Sequence, residues 1–286
     1  AHNAVFDMGF LWKAGVEVRA ECSMLAYHVL TGKREGLKTL AQHYLGLELD
    51  KGEQVSNWGA ATLSEAQLRY AALDVIAVQA LFPKIEAELA ERESMRAYAL
   101  TRDAQPAVVR MELAGMPFNA GKQAELIATL TQERNKHLAY LGEALQGRNP
   151  ASGAQVAEWI TQQLGGPSSE KFKAWEKTGK GQLKTGGEDL KKGLVYLPEE
   201  AAKVIKEALL PFKDTEKKLT AFGQGLADKI NPATGRIHAD FALAGAASGR
   251  MSCSRPNLQQ IPREKEFRAL FEAPEGRAFV ICDYSQ

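Results

Sequence analysis

The residues that could do chemistry begin with three carboxylates. Asp7 closes the run Ala4-Val5-Phe6-Asp7, and Asp74 sits inside the apolar stretch Tyr70-Ala71-Ala72-Leu73-Asp74-Val75-Ile76. A spacing of four puts the Tyr70 phenol on the same helical face as Asp74, one turn away. Acids set among apolar residues need a partner, and a divalent cation is the usual one where several converge. Asp283 stands at the end of a third apolar run, Ala278-Phe279-Val280-Ile281-Cys282, which reads as a buried strand with its acid at the tip. Ahead of it, residues 247–262 are crowded with Arg250, Arg255, Asn257, Gln259, Gln260 and several hydroxyls. Donors of that kind suit sugar edges and the minor-groove acceptors that every correct base pair presents. Taken singly, each feature has a plainer account: Asp74 as a salt-bridged core acid, Tyr70 as a packing residue, residues 245–254 as a small-residue loop. The combination is what the plainer accounts leave unexplained.

Positioning these groups requires mostly helices. Apolar residues recur at three and four over 23–30, 37–45 and 64–89, with Ser64 and Gln67 forming a capping box at the start of the last. A helix start is expected from Ala4, a short strand at Val16-Glu17-Val18, and a helix through Val108 that breaks at Gly115-Met116-Pro117. A long helix follows over about 120–145, then a punctuated stretch over 147–194, then helix over 199–226. Beyond Asn231-Pro232 the texture turns to short strands, the first spanning residues 236–241.

Two motif sets resemble known families. Asn3-x-x-Phe6-Asp7 followed by Tyr70-x-x-x-Asp74 resembles the second and third motifs of the DEDDy 3′ to 5′ exonucleases, and residues 49–58 and 63–65 look like ribonuclease D and related proofreading domains. Residues 247–262 resemble the T-G-R-L-S-S-x-x-P-N-L-Q-N-I-P segment of family A (DNA polymerase I-like) DNA polymerases, and Asp283-Tyr284-Ser285-Gln286 resembles their motif A. Ser248 stands where threonine is usual and Gln260 where asparagine is usual, both preserving the chemistry. The link from Pro262 to Phe267 is shorter than common, which leaves no assigned role for Arg263.

The resemblance implies an α/β plus α fold: a partial ribonuclease H-like exonuclease domain over 1–95, a mostly helical polymerase thumb over 96–230, and the first strands of the palm over 231–286. It implies two-metal chemistry with Mg2+. Asp7 and Asp74 would bind metal at the exonuclease site, Tyr70 would orient the attacking water, and Asn3 and Phe6 would contact the 3′-terminal nucleotide of single-stranded DNA. Asp283 and the carbonyl of Tyr284 would bind metal at the polymerase site. Arg236 and Arg250 would reach the minor groove, with Asn257, Gln259 and Gln260 gripping primer and template nearby. Lys217 and Lys218 are phosphate candidates, and for the lysines of residues 171–184 a mobile DNA-contacting tip and a solvated loop are equally good accounts. The implied partners are primer-template DNA and deoxynucleoside triphosphates.

Composition is compatible with this and excludes little more. The 286 residues are 45% hydrophobic and 25% charged with net charge +1, an ordinary globular profile with no apolar run near the length of a membrane helix. Three widely separated cysteines suggest neither a disulfide framework nor a zinc site. Charge is uneven: residues 1–100 hold 10 basic and 13 acidic side chains, residues 167–220 hold 12 lysines against 9 acids. The missing initiating Met and the abrupt end suggest a fragment, lacking the exonuclease family's first D-x-E motif and the triphosphate-binding helix. A monomer in the cytoplasm of a bacterial or viral replication system is expected, with an organelle as the other setting. The rival readings are a ribonuclease D-like exonuclease with an accessory helical domain, against which Asp283 and the Arg250 segment argue, and a non-catalytic DNA-binding module, against which every filled carboxylate position argues.

Overall fold

A computed structural model describes the chain except Lys51, Ala247 and Tyr284, Ser285 and Gln286. The chain forms two compact units, Ala1–Pro117 with Asn231–Pro262, and Phe118–Ile230 with Arg263–Gln286. The sequence partition shares only the boundary at 230/231 with these units.

The first unit opens with α1 (Ala4–Lys13), α2 (Ser23–Thr31), α3 (Leu37–Leu45), α4 (Glu65–Glu91), α5 (Met95–Asp103) and α6 (Gln105–Ala114). The helical period and the caps account for them. Ser64 Oγ accepts from Gln67 N at 3.2 Å, and Gln67 Oε1 accepts from Ser64 N at 2.9 Å, the expected capping box. Gln67 is buried and its Nε2 also donates to Ser56 Oγ at 2.9 Å, so one residue caps α4 and fastens the loop before it. Gly32 and Gly46 take up left-handed geometry at the ends of α2 and α3. Met8, Leu25, Leu40, Leu81, Ile85 and Leu89 make the core, and Ala244 joins it from the returning segment.

The expected strand at Val16-Glu17-Val18 is absent. Val16 N instead donates to Leu11 O at 2.9 Å, and Trp12 Nε1 donates to Val18 O at 2.9 Å, so the end of α1 satisfies the segment that a neighbouring strand would have paired. After β1 (Met116–Pro117) the chain leaves this unit and returns through β2 (Ile230–Asn231). The strand expected over 236–241 divides into β3 (Arg236–Ile237), antiparallel to β1, and β4 (Asp240–Ala242), antiparallel to β5 (Ser252–Ser254).

The second unit is helical: α7 (Ala120–Ala144), α8 (Gly153–Gln163), α9 (Glu170–Ala174), α10 (Gly187–Gly193), α11 (Glu199–Val204), α12 (Leu210–Phe222), α13 (Gln224–Ala227) and α14 (Lys265–Arg268). Leu141, Trp159, Ile160, Trp175, Ile205 and Phe212 are among its core residues. The single helix expected over 199–226 is interrupted by a π-helical turn at Ile205–Leu209 and again at Gly223. Pro211 explains the first break, because it has no N–H to give the preceding turn.

The strand expected over 278–282 does not form. Val280 and Ile281 are 86% and 90% exposed, and no strand pairs with them among the described residues. An apolar run becomes a buried strand only when another strand supplies its hydrogen bonds.

Candidate functional site

Asn3 sits at the N-cap of α1 with φ 67, and its side chain makes no capping hydrogen bond. Asn tolerates this left-handed geometry better than other non-glycine residues, and here it leaves the amide unspent. Phe6 is 61% exposed and meets Phe10 edge-on at 5.0 Å between ring centroids. Asp7 lies in the first turn, where the helix dipole favours a negative charge, yet shielding from water raises its pKa. On α4 Tyr70 stands one turn before Asp74, burial and the nearby Asp74 carboxylate raise the pKa of its phenol, and the Trp58 ring lies 6.0 Å from the Tyr70 ring.

Burial raises the pKa of Asp74 from the ordinary 3.8, and the nearby Tyr70 hydroxyl opposes that rise. Among the described residues no cation contributes to the shift of Asp74, and the amino group of Ala1 is the one that acts on Asp7. Two partly desolvated carboxylates so short of counter-charge fit a divalent cation in chemical type. They supply only part of its shell, since no group of three or more His, Cys, Asp or Glu side chains gathers among the described residues.

The shift gives a test of stability. A carboxylate whose folded pKa is raised opposes folding above that pKa and costs nothing below the unfolded value. Asp74→Asn keeps an acceptor for Tyr70 and removes the charge. Thermal unfolding is expected to show a midpoint raised by about 1–4 °C at pH 7, with the gain gone below about pH 4.

The residues expected to contact nucleic acid divide by what the fold already asks of them. Arg250 and Gln260 are exposed. Asn257 Oδ1 accepts from Gln259 N at 3.0 Å and Gln259 Nε2 donates to Met251 O at 3.2 Å, so these two brace their own loop. Arg236 donates to Ala114 O at 3.0 Å and Gly115 O at 3.4 Å, a structural engagement that sequence reasoning missed. In the second unit Lys217 is exposed, whereas the Lys218 ammonium lies 3.0 Å from both Asp214 and Glu264 and over the Phe267 ring. Two carboxylates neutralise that charge, which makes Lys218 a poorer phosphate ligand than its neighbour.

The lysine-rich segment is also more folded than a free tip. Lys177 Nζ donates to the carbonyls of Phe172 and Lys173 at 3.0 Å, Lys184 pairs with Glu176 at 3.0 Å, and buried Trp175 donates to Lys184 O at 2.9 Å. Lys171 and Lys180 remain exposed. Asp283 is exposed, and the Tyr284 carbonyl expected to assist it lies outside the described residues. No described helix is long and apolar enough to cross a membrane.

Comparison with known proteins places these features in a class: a polymerase segment joined to an exonuclease segment. The family model "DNA polymerase family A" matches residues 121–286, and the model "3′-5′ exonuclease" matches residues 1–90. The chain belongs to DNA polymerase family A. All of it aligns at 32% identity with DNA polymerase I of Aquifex aeolicus, covering 50% of that protein, and at 30% with DNA polymerase I of Chloroflexus aurantiacus, covering 31%. The chain thus spans half or less of the curated relatives it matches. The structure of the POL domain of Pol1 from M. smegmatis, in complex with DNA primer-template and dNTP, matches with a TM-score of 0.76 at 23% identity, over 97% of this chain and 46% of that one. At that identity the likeness speaks for the fold.

Proposed function

We propose that the polypeptide to which this chain belongs is a DNA-directed DNA polymerase that extends a primer 3′-hydroxyl along a template and proofreads with a 3′ to 5′ exonuclease. The observation that carries this reading is the match of residues 121–286 to family A, over a segment that holds both the Arg250-to-Gln260 run and Asp283. Residues 1–95 serve as part of the exonuclease, 96–230 as the thumb and 231–286 as the start of the palm. Family A polymerases and these exonucleases work with divalent metals, here Mg2+, which when bound acidify the attacking hydroxyl or water and neutralise charge on the phosphoryl group. Asp283 and the Tyr284 carbonyl would hold the ion at the polymerase centre, and Asp7 and Asp74 would hold it at the exonuclease.

The chain's own groups do the positioning. Tyr70, one turn from Asp74, aims its phenol at the attacking water. Asn3 and Phe6 grip the terminal nucleotide by amide and exposed ring. Arg250 reads the minor groove near the primer end, Gln260, Asn257 and Gln259 hold the strands beside it, and Lys217 meets backbone phosphate. Arg236 and Lys218 act mainly through the loops they brace. The substrates are primer-template DNA, deoxynucleoside triphosphates and single-stranded 3′ ends, and the enzyme works as a monomer in the cytoplasm.

The test is a primer-extension and 3′-degradation assay with Mg2+ on the whole polypeptide and on this chain alone. The whole polypeptide is expected to extend and to proofread, while this chain, with one palm carboxylate and two exonuclease carboxylates, does neither. Failure of the whole polypeptide to extend a primer overturns the proposal. Metal-dependent degradation by this chain that vanishes in Asp74→Ala overturns its expected inactivity.

A further inference from the structure

The last turn of α6 holds the returning segment by a cluster of hydrogen bonds that the proposed chemistry does not use. Glu112 Oε1 accepts from the Phe241 N–H at 2.6 Å, and the Glu112 carbonyl lies 2.8 Å from His238 Nδ1. His238 Nε2 lies 2.8 Å from Thr234 Oγ1, so a neutral ring can donate to Glu112 and accept from the threonine. Burial raises the pKa of the half-buried Glu112 carboxyl, and the Phe241 amide opposes the rise.

What hangs from this turn is β4. Its partner β5 pairs with it over only three residues a side, Asp240 with Ser254, Phe241 with Cys253 and Ala242 with Ser252. A two-stranded ladder of that length has little stability of its own and takes its placement from whatever anchors it. β5 lies between Arg250 and Asn257, so the anchoring of β4 sets where both side chains point.

We propose that Glu112 is a positioning residue for nucleic-acid binding: by accepting from the Phe241 amide its carboxylate fixes the β4–β5 ladder and so orients Arg250 and the Asn257–Gln260 loop. This rests on the reading of that loop as a primer-template contact. The carboxylate touches no substrate and acts by pre-organising groups that do.

The experiment measures binding of a fluorescent primer-template duplex at low salt to this chain and to Glu112→Ala, Glu112→Asp, Glu112→Gln and Arg250→Ala. Glu112→Ala and Glu112→Asp, which lose the acceptor or its reach, are expected to weaken binding about tenfold. Glu112→Gln keeps an acceptor oxygen and is expected to restore binding to within about twofold. Wild-type binding by the Ala and Asp variants, or failure of Gln to rescue, overturns the proposal. Arg250→Ala separates the two levels. If it weakens binding while the Glu112 variants do not, only the positioning role falls; if it has no effect, the underlying reading falls and takes the positioning role with it. Amide hydrogen exchange on the wild-type chain needs no variant to fold: the Phe241 N–H is expected to be protected, and exchange at the rate of an open loop overturns the proposal.

Discussion

Replacing Asp283 by Ala in the whole polypeptide is expected to reduce nucleotide addition by about 10³-fold or more while leaving duplex binding within about twofold. The loss follows from the role proposed for the group. A carboxylate that holds a catalytic cation contributes where charge develops in the transition state, and a neutral methyl offers neither ligand nor charge. On the proposed reading binding survives, because Arg250, Gln260 and Lys217 would grip the nucleic acid without it. Single-turnover primer extension separates the two quantities. Near-wild-type extension by Asp283→Ala would remove this residue from the centre, and a parallel collapse of binding would show a structural role instead.

Gly115→Ala is expected to cost about 2–5 kcal/mol of stability, read as a fall of about 5–15 °C in the thermal midpoint. Two independent effects add. Gly115 has φ +64 with ψ 165, a combination that only glycine adopts without strain. A Cβ at this position would also lie 2.7 Å from His238 Cε1, well inside contact distance. The ring cannot retreat cheaply, since both its nitrogens are in hydrogen bonds to Glu112 and Thr234. A wild-type midpoint in this variant would mean that the turn after α6 is far more pliant than its geometry indicates.

Much of the helical scaffold is legible in the sequence. The 37–45 period gave α3 to the residue, and the Ser64–Gln67 pair placed the start of α4. These signals are local, made by residues within one or two turns of each other. The Tyr70–Asp74 contact was legible for the same reason. The failures are non-local. The apolar run over 278–282 has strand composition but no strand beside it, and Val16-Glu17-Val18 is satisfied by α1 rather than by a sheet. Lys218 reads as a free cation beside Lys217, yet Glu264, 46 residues on, neutralises it from a part of the chain that no periodicity connects to it.

The positioning role proposed for Glu112 has little local signature, because its partner lies 129 positions away. The one local hint was an acid three residues before a glycine that ends a helix. His238 was read only as part of a strand for the same reason, its ring being committed to a carbonyl 126 positions back. The motif that holds Arg236 points it to the minor groove, while the fold sets its guanidinium on the last carbonyls of α6.

The way the chain leaves the first unit after Pro117 and returns at Asn231 has a consequence for biosynthesis. A ribosome delivers residues in order, so the first unit cannot be completed until Pro262 has emerged, roughly 145 residues later. At about 5–20 residues per second that is a delay of roughly 7–30 s. Throughout it α6 waits with the Glu112 carboxylate unmatched, while the intervening helices have time to collapse on their own core. The nascent protein therefore passes through a stage in which the helices of residues 118–230 can have collapsed while the first unit is still open.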